Sequence, residues 1–497
     1  MEGFLSSSNI GRLRRQLTIG ALPDDILLEI FDFYAEGLEE DFEYDWWHTL
    51  AHVCRRWRNV VFVSPRRLDL QLLCTPGRSV REMLDTWPEL PIVIEHDRDR
   101  TVGETDNVVD ALKLNDRVSV IRLWNVSSSE LEAFVAAMQD PFTTLINLEL
   151  WSHDRLVPVI SDSFLGGSAP RLQSISLNGI PFPTLPNLLL SATDLVTLSL
   201  LDIPHSGYIS PEAMVTCLSA LSRLNLLSLR FQSPRSRPDR ARLPPPLTRT
   251  ILPALKEIYF QGVTEYLEDL VARIHVPLLE NIGITFFNQL IFNILQLPRF
   301  LFRTEKFKRL DQAEVAFYAR SVDIILSSQS RTVDPARLNL GVSCRALDWQ
   351  LSSLAQVCNL CLSTLPTLER LDIRESRALP PDWQDDIEST QWLELLQPFA
   401  TVKNLYLSEK VVRHVAPALQ ELAGERVTEV LPALQALFHD ELQNPGPVQD
   451  KVQVAFREFL AARELSGHPV ATHHWEGGRN ESEDGSGDES GDESMDD

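Results

Sequence analysis

The sequence predicts an α/β solenoid, with strand–helix units stacked in series behind a short helical N-terminal module and ahead of an acidic tail. Three observations predict it. A short apolar run recurs ten times along the chain. Helical periodicity fills several of the gaps between the runs. Residues 22–62 carry a separate helical signal with more apolar surface than one neighbouring face can cover.

The runs have the form L-x-x-L-x-L or an apolar equivalent. They begin with Val118-Ile121-Leu123, Leu145-Leu148-Leu150, Leu172-Ile175-Leu177 and Leu195-Leu198-Leu200. Leu224-Leu227-Leu229, Leu255-Ile258-Phe260 and Leu279-Ile282-Ile284 follow, with successive starts 27, 27, 23, 29, 31 and 24 residues apart. Later copies are Leu368-Leu371-Ile373, Val402-Leu405-Leu407 and a degenerate Leu434-Leu437. The last two positions of each run are two apart, which places them on one face of a strand. A strand–helix unit of this length cannot bury its own apolar face, whereas stacked neighbours bury one continuous core. The stretch 303–350 fits the period poorly and reads as an insertion.

Helix signals lie between the runs. Ser129 and Glu132 have capping-box spacing ahead of Phe134, Val135 and Met138, with Leu131 on the same helix. Ser210 followed by Pro211 opens a second helix carrying Met214, Val215, Leu218 and Leu221. Thr264 precedes Leu267, Leu270, Val271 and Ile274. In the connector 64–92, Ser79 and Glu82 open a helix with Val80, Met83, Leu84 and Trp87, stopped by Pro88. Pro447 opens an amphipathic helix with Val448, Val452, Phe456, Phe459 and Leu460, suited to capping the array.

This body resembles leucine-rich repeats. Regular members of that class place Asn or Cys eight residues after the first leucine, where it bonds the turn backbone. Here Val126, His153, Ile180, Ile203, Gln232, Val263 and Phe287 occupy that position. The departure implies irregular curvature and variable loops.

Composition narrows the function classes. Asp and Glu number 70 against 46 Lys and Arg, a net charge of −24, of which the segment from Glu476 onward carries −9. An acidic body repels phosphate backbones and disfavours nucleic-acid binding. No stretch approaches the roughly 18 uninterrupted apolar residues of a membrane span, and the best, 290–302, is broken by Asn293, Gln296, Pro298 and Arg299. The N-terminus lacks the layout of a secretory signal. Six scattered cysteines read as reduced, buried thiols, in keeping with cytoplasm or nucleus.

The helical signal at 22–62 reads LPDDILLEIFDFYAEGLEEDFEYDWWHTLAHVCRRWRNVVF. Pro23 suits the first helical position, and Asp24 and Asp25 sit where the helix dipole favours negative charge. Ile26, Leu27, Leu28, Ile30, Phe31, Phe33 and Tyr34 then make a helix apolar on almost every side. With Asp45 as cap, a single second helix is expected, its stripe formed by Leu50, Val53, Cys54, Trp57, Val60 and Val61, and Arg55, Arg56 and Arg58 opposite. The plain reading is an apolar hairpin packed on the body.

These residues also resemble the F-box: Leu22-Pro23, an apolar helix ending in Ile30-Phe31, and Val53-Cys54-Arg55-Arg56-Trp57, over about 42 residues. An acidic insertion at 36–45 departs from the pattern. The layout, together with Ser64-Pro65-Arg66-Arg67-Leu68, further resembles the expanded F-box families of mushroom-forming fungi. The resemblance implies a non-catalytic substrate receptor of an SCF-type ubiquitin ligase. The box docks on a Skp-type adaptor and through it on a cullin and a RING subunit, while the repeats capture a target protein. It carries Leu22, Pro23, Ile26, Leu27, Ile30, Phe31, Leu50, Val53, Cys54 and Trp57 over as box residues. Sequence does not separate adaptor contacts from those that hold the box together. The alternative is a repeat scaffold for protein–protein interaction with no ligase connection.

The resulting organisation is an arm at 1–20, the box at 21–63, a connector at 64–92, the repeats at 93–470 and an acidic, disordered tail at 471–497. No Walker loop, H-E-x-x-H, G-x-S-x-G or Rossmann fingerprint is present, and no cofactor is implied. Cys358-x-x-Cys361 has metal-pair spacing, but apolar neighbours favour core thiols over zinc. His473-His474 reads as solvent-facing. The arginine–proline stretch 234–246 reads as a solvated loop, with an import signal or a peptide ligand as alternatives. Ser486, Ser490 and Ser494 each have an acid three residues on, the spacing favoured by acid-directed kinases; a solubilising tail is the competing reading. Strand positions alternating with the core, such as Glu149, Ser176, Ser199 and Tyr259, form the displayed surface, and no code maps them to a ligand.

Overall fold

A computed structural model describes residues 19, 22–36, 46–78, 81, 84, 90–100, 105–154, 157–238, 248–328, 336–362, 368–376, 378–381, 383, 387–422, 426–440 and 447–475. The arm 1–18, the insertion 37–45, the connector's Ser79, Val80, Glu82, Met83 and Trp87, the loop 239–247 and the tail from 476, with Ser486, Ser490 and Ser494, lie outside them. The chain divides into two compact units, 1–195 and 196–497.

The first unit opens with helices α1 (Asp24–Glu36), α2 (Trp46–Val53) and α3 (Arg55–Val63). Five strands follow: β1 (Leu72–Cys74), β2 (Ile92–Asp97), β3 (Val118–Trp124), β4 (Asn147–Trp151) and β5 (Ser174–Asn178). Each pairs in parallel with the next. Helices α4 (Asp106–Leu112), α5 (Ser128–Ala137) and α6 (Leu185–Leu189) lie between or after them. The register sets Ile121 beside Leu148 and Leu148 beside Ile175, all fully buried. Strand β1 falls in the stretch expected to be only a connector, so the parallel array starts earlier than the repeats show.

The second unit continues the same logic. Strands β6 (Thr197–Ile203), β7 (Leu226–Phe231), β9 (Glu257–Gly262) and β11 (Asn281–Phe287) are parallel neighbours. A separate two-stranded pair joins β8 (Thr250–Ile251) and β10 (Ile274–His275). The stretch 303–350 holds β12 (Gln312–Phe317), β13 (Ser321–Ser327) and β14 (Arg337–Ser343). β14 lies beside β11, β12 lies beside β15 (Arg370–Glu375), and β13 runs antiparallel between β12 and β14. The poor period there has this cause: a strand reverses direction, so the repeat spacing is broken without breaking the sheet. Strands β16 (Asn404–Leu407), β17 (Ala436–His439) and β18 (Ala471–His474) complete the order in parallel. β18 covers residues that the sequence left in the tail, and His473 is stacked on Phe438 at 4.9 Å although exposed.

Helices α7 (Pro211–Leu218), α8 (Thr264–Arg273), α9 (Gln296–Leu301), α10 (Leu347–Cys361), α11 (Ser389–Leu396), α12 (Glu409–Gln420) and α13 (Pro447–Leu465) occupy the crossovers. Ser210 caps α7 as expected, accepting from Ala213 N at 3.2 Å. One cap expectation is corrected. Ser127 with Glu130, not Ser129 with Glu132, forms the capping box of α5. Both pairs have the required spacing, but Asn125 turns the chain at φ 54° just after β3, so the helix starts two residues earlier. Thr264 lies inside α8 after Val263, and its hydroxyl bonds Gln289 Oε1 at 3.0 Å. Where regular repeats would set Asn, Val126, Ile180, Ile203 and Val263 are buried, so apolar packing replaces the side-chain ladder.

Cys358 and Cys361 lie in α10, fully buried, and burial pushes both thiols well above the ordinary range. In the arginine–proline loop, Ser236 is buried rather than solvated, while Arg235 and Arg237 are exposed. Among the described residues, no helix is long and apolar enough to cross a membrane, and no group of three His, Cys, Asp or Glu is placed to hold a metal.

Candidate functional site

The first helix has two apolar faces, and the fold uses one of them. Leu27, Leu28 and Phe31 turn inward against Trp46, Trp47 and Leu50 of α2 and Val60 and Val61 of α3. Leu68, Leu70, Leu72 and Leu90 close the same cluster from the following chain. Phe31 meets Trp57 edge to face at 4.9 Å, the geometry that aromatic quadrupoles favour. Trp47 Nε1 donates to Gln71 O at 3.1 Å, satisfying the indole of a fully buried side chain. The three helices therefore have a core of their own, anchored on the first strand.

The opposite face is left open. Ile26, Ile30 and Phe33 follow at i, i+4 and i+7, which puts them on one stripe. They are 45%, 36% and 72% exposed. Pro23 and Tyr34 are exposed beside them, and Val53, at 56%, and Cys54 add to the open apolar surface from the α2–α3 junction.

The expected single second helix is corrected to two. Cys54 adopts extended backbone, φ −160° and ψ 168°, and its Sγ accepts from Trp57 N at 3.4 Å, so it caps α3 instead of continuing α2. Arg58 Nε donates to Ala51 O at 2.9 Å, supplying a donor to a carbonyl that the broken helix leaves unpaired. The break removes Val53 and Cys54 from the buried stripe and turns them outward. Arg56 pairs with Asp24 at 2.6 Å and also donates to the Leu22 carbonyl, fastening the Leu-Pro entry of α1 to α3. Arg67 pairs with Glu29 at 3.0 Å. Both pairs are largely exposed, so they orient the helices more than they stabilise them.

The ten sequence-derived residues thus divide. Leu27, Phe31 and Leu50 are core, Leu22 and Trp57 are half-buried against it, and Pro23, Ile26, Ile30, Val53 and Cys54 are exposed. Phe33 was not among them, although its place on the Ile26–Ile30 stripe is a signal that the sequence contains.

The repeats offer a second surface. Alternate strand positions point away from the core as expected, with Glu149, Ser176 and Ser199 half-buried and Tyr259 exposed. Glu149 receives Trp124 Nε1 at 3.1 Å and pairs with Arg122 at 3.5 Å, so it is already engaged within the sheet.

An F-box-like family model matches residues 19–68, the interval that contains all three helices and Leu68, the first of the residues that close their core. No curated protein matches. Among solved structures, a leucine-rich repeat-containing protein from Legionella pneumophila is similar, at 13% identity and a TM-score of 0.28, over 78% of this chain and 96% of that one. The repeat fold itself is read from the strand register and not from that likeness. Residues 19–68 are an F-box-like domain, set ahead of leucine-rich-repeat-like strand–helix units.

Proposed function

We propose that this protein is the substrate-recognition subunit of an SCF-type ubiquitin ligase. The outer stripe of α1 docks on a Skp-type adaptor, which brings a cullin and a RING subunit, and the repeats hold a target protein. One observation carries the reading: Ile26, Ile30 and Phe33 remain exposed on a helix whose other face is already packed. An apolar stripe of this kind on a domain with its own complete core favours burial against another protein. Val53 and Cys54 extend the same contact, whereas Leu27, Phe31 and Leu50 act by holding the box together.

The receptor performs no chemistry in this reading. It raises the effective concentration of target lysines near the ubiquitin-charged enzyme. Cytoplasm or nucleus is the matching location, and the box-then-repeat layout supports a place among the expanded F-box families of mushroom-forming fungi.

Co-purification from cells tests the proposal. Wild type is expected to retain adaptor and cullin together, and Ile30→Asp with Phe33→Asp to lose both while circular dichroism stays unchanged. Wild type that recovers no adaptor, or adaptor without cullin, favours a scaffold with no ligase connection, and equal recovery by the two proteins contradicts docking through the outer stripe.

A further inference from the structure

A depression of about 540 Å³ opens on the sheet of the second unit, on the face of the alternate, non-core positions. Its floor is the row Tyr259, Gly283 and Asn339, adjacent on β9, β11 and β14. A Cβ at Gly283 would lie 2.9 Å from Tyr259 Cδ1, so glycine here lets the tyrosine ring lie across the neighbouring strand. The Tyr259 hydroxyl donates to Glu257 Oε2 at 2.9 Å, which occupies that nearby carboxylate.

The charge of the depression runs against that of the chain. Acidic residues outnumber basic ones 70 to 46 overall, yet the lining includes Arg230 and Arg337 and no carboxylate. Arg230 Nε donates to the neutral Gln261 Oε1 at 3.3 Å. Arg337 is exposed and makes no ion pair among the described residues. Two cations without anions call for a ligand that carries two anionic groups.

Spacing refines this. Arg230 lies on β7 and Arg337 on β14, three strand steps apart in the order β7, β9, β11, β14. At about 4.8 Å per step that is about 14 Å across the sheet, and the register sets Arg230 in the row of Gln261, Thr285 and Gly341, four residues along β14 from Arg337, so the two lie about 20 Å apart, the span of roughly six residues of extended peptide. One carboxylate cannot reach both guanidinium groups, whereas two acidic side chains about six residues apart can.

We propose that this depression binds an acidic peptide segment of a target protein, laid diagonally across the strands. One acidic side chain pairs with Arg230 and a second, about six residues on, pairs with Arg337. The inference rests on the reading of the repeats as the target-holding part, and it gives that part a ligand class and an address.

Fluorescence polarisation with the full chain tests it. The probe is a fluorescein-labelled Gly-Ser decapeptide with two glutamates six positions apart. Binding is expected, weakened at least tenfold when both glutamates become glutamine, when they are made adjacent, or when the protein carries Arg230→Ala with Arg337→Ala. Thr285→Trp, which fills the depression while keeping both arginines in the sequence, is expected to weaken it similarly. Failure of the glutamate probe to bind, equal binding of the glutamine probe, or unchanged affinity of the double variant overturns the proposal. A phosphoserine pair that binds where the glutamate pair does not overturns its carboxylate form. Adaptor co-purification by the double variant is expected to equal wild type, so a failed peptide site and a failed adaptor site give different results.

Discussion

Arg463 closes the end of the second unit with no counter-charge among the described residues. It lies near the end of α13, fully buried, and its guanidinium donates to five backbone carbonyls. Nε reaches His468 O at 3.2 Å, Nη1 reaches Val427 O at 3.2 Å and Leu431 O at 3.5 Å, and Nη2 reaches Pro432 O at 3.3 Å and Leu434 O at 3.1 Å. These carbonyls belong to the turn before β17 and to the turn before β18, and Leu431 is held there at φ 49°. Arg463→Met keeps most of the stem's packing and removes all five bonds. Each bond to a charged donor contributes about 1.5–3 kcal/mol, but removing the buried charge also relieves its desolvation, so the net loss is about 3 kcal/mol. That corresponds to a local opening equilibrium raised roughly 100-fold. Hydrogen exchange reads it directly. The ladder bonds Ala436 N to Lys403 O and Ala471 N to Gln435 O are expected to exchange about 100-fold faster, while β9 and β11 keep their protection. Arg463→Lys is expected to exchange nearly as fast, because one ammonium with three donors cannot span five carbonyls. A change under about threefold in the methionine variant would refute the reasoning.

Three further outcomes are expected. Burial raises the Asp323 carboxyl to about 6, above its unfolded value of about 3.9, so the folded state binds more protons between these values and stability falls as pH rises through that window. Asp323→Asn is expected to remove that fall, adding about 3 kcal/mol at pH 7.5 and nothing below pH 4, as read from denaturant midpoints; a variant with the wild-type pH profile contradicts this. Ser127→Ala is expected to cost about 1 kcal/mol through the lost cap of α5, and Ser129→Ala only a few tenths, with thermal melting ranking the two. Gly179 has φ +70°, and a Cβ there would lie 2.2 Å from Ser152 O, so Gly179→Ala is expected to destabilise the β4–β5 region by several kcal/mol, with proteolysis between residues 152 and 179 as the readout.

The sequence showed the repeats more fully than the box because their information is periodic. Every run that was named became a strand, and Leu148 sits beside Ile175 in the first unit and Leu198 beside Leu227 in the second, all on the core side. What it hid was local competition between equal signals. Ser127 and Ser129 carry the same spacing to a glutamate, and a turn at Asn125 decides between them. Cys54 fits a helical stripe by its neighbours, yet it caps a new helix through a thiol, a role that propensity does not advertise. Strand β13 fits no repeat because it runs backward. In the box, the excess apolarity of the first helix was visible, but the division into Leu27 and Phe31 inside and Ile26, Ile30 and Phe33 outside required the packed partners of α2 and α3. The arginines of the second-unit depression lie 107 residues apart, and only the strand order brings them to one surface.

Calorimetric titration of a purified Skp-type adaptor into the full chain, wild type beside Ile26→Asp with Phe33→Asp, tests the outer stripe most directly. Burying an aliphatic or aromatic side chain of this size is worth about 1.5–3 kcal/mol, so losing both anchors is expected to weaken the affinity at least about 100-fold. Affinities within about threefold of each other would show that the adaptor, if it binds, lands elsewhere.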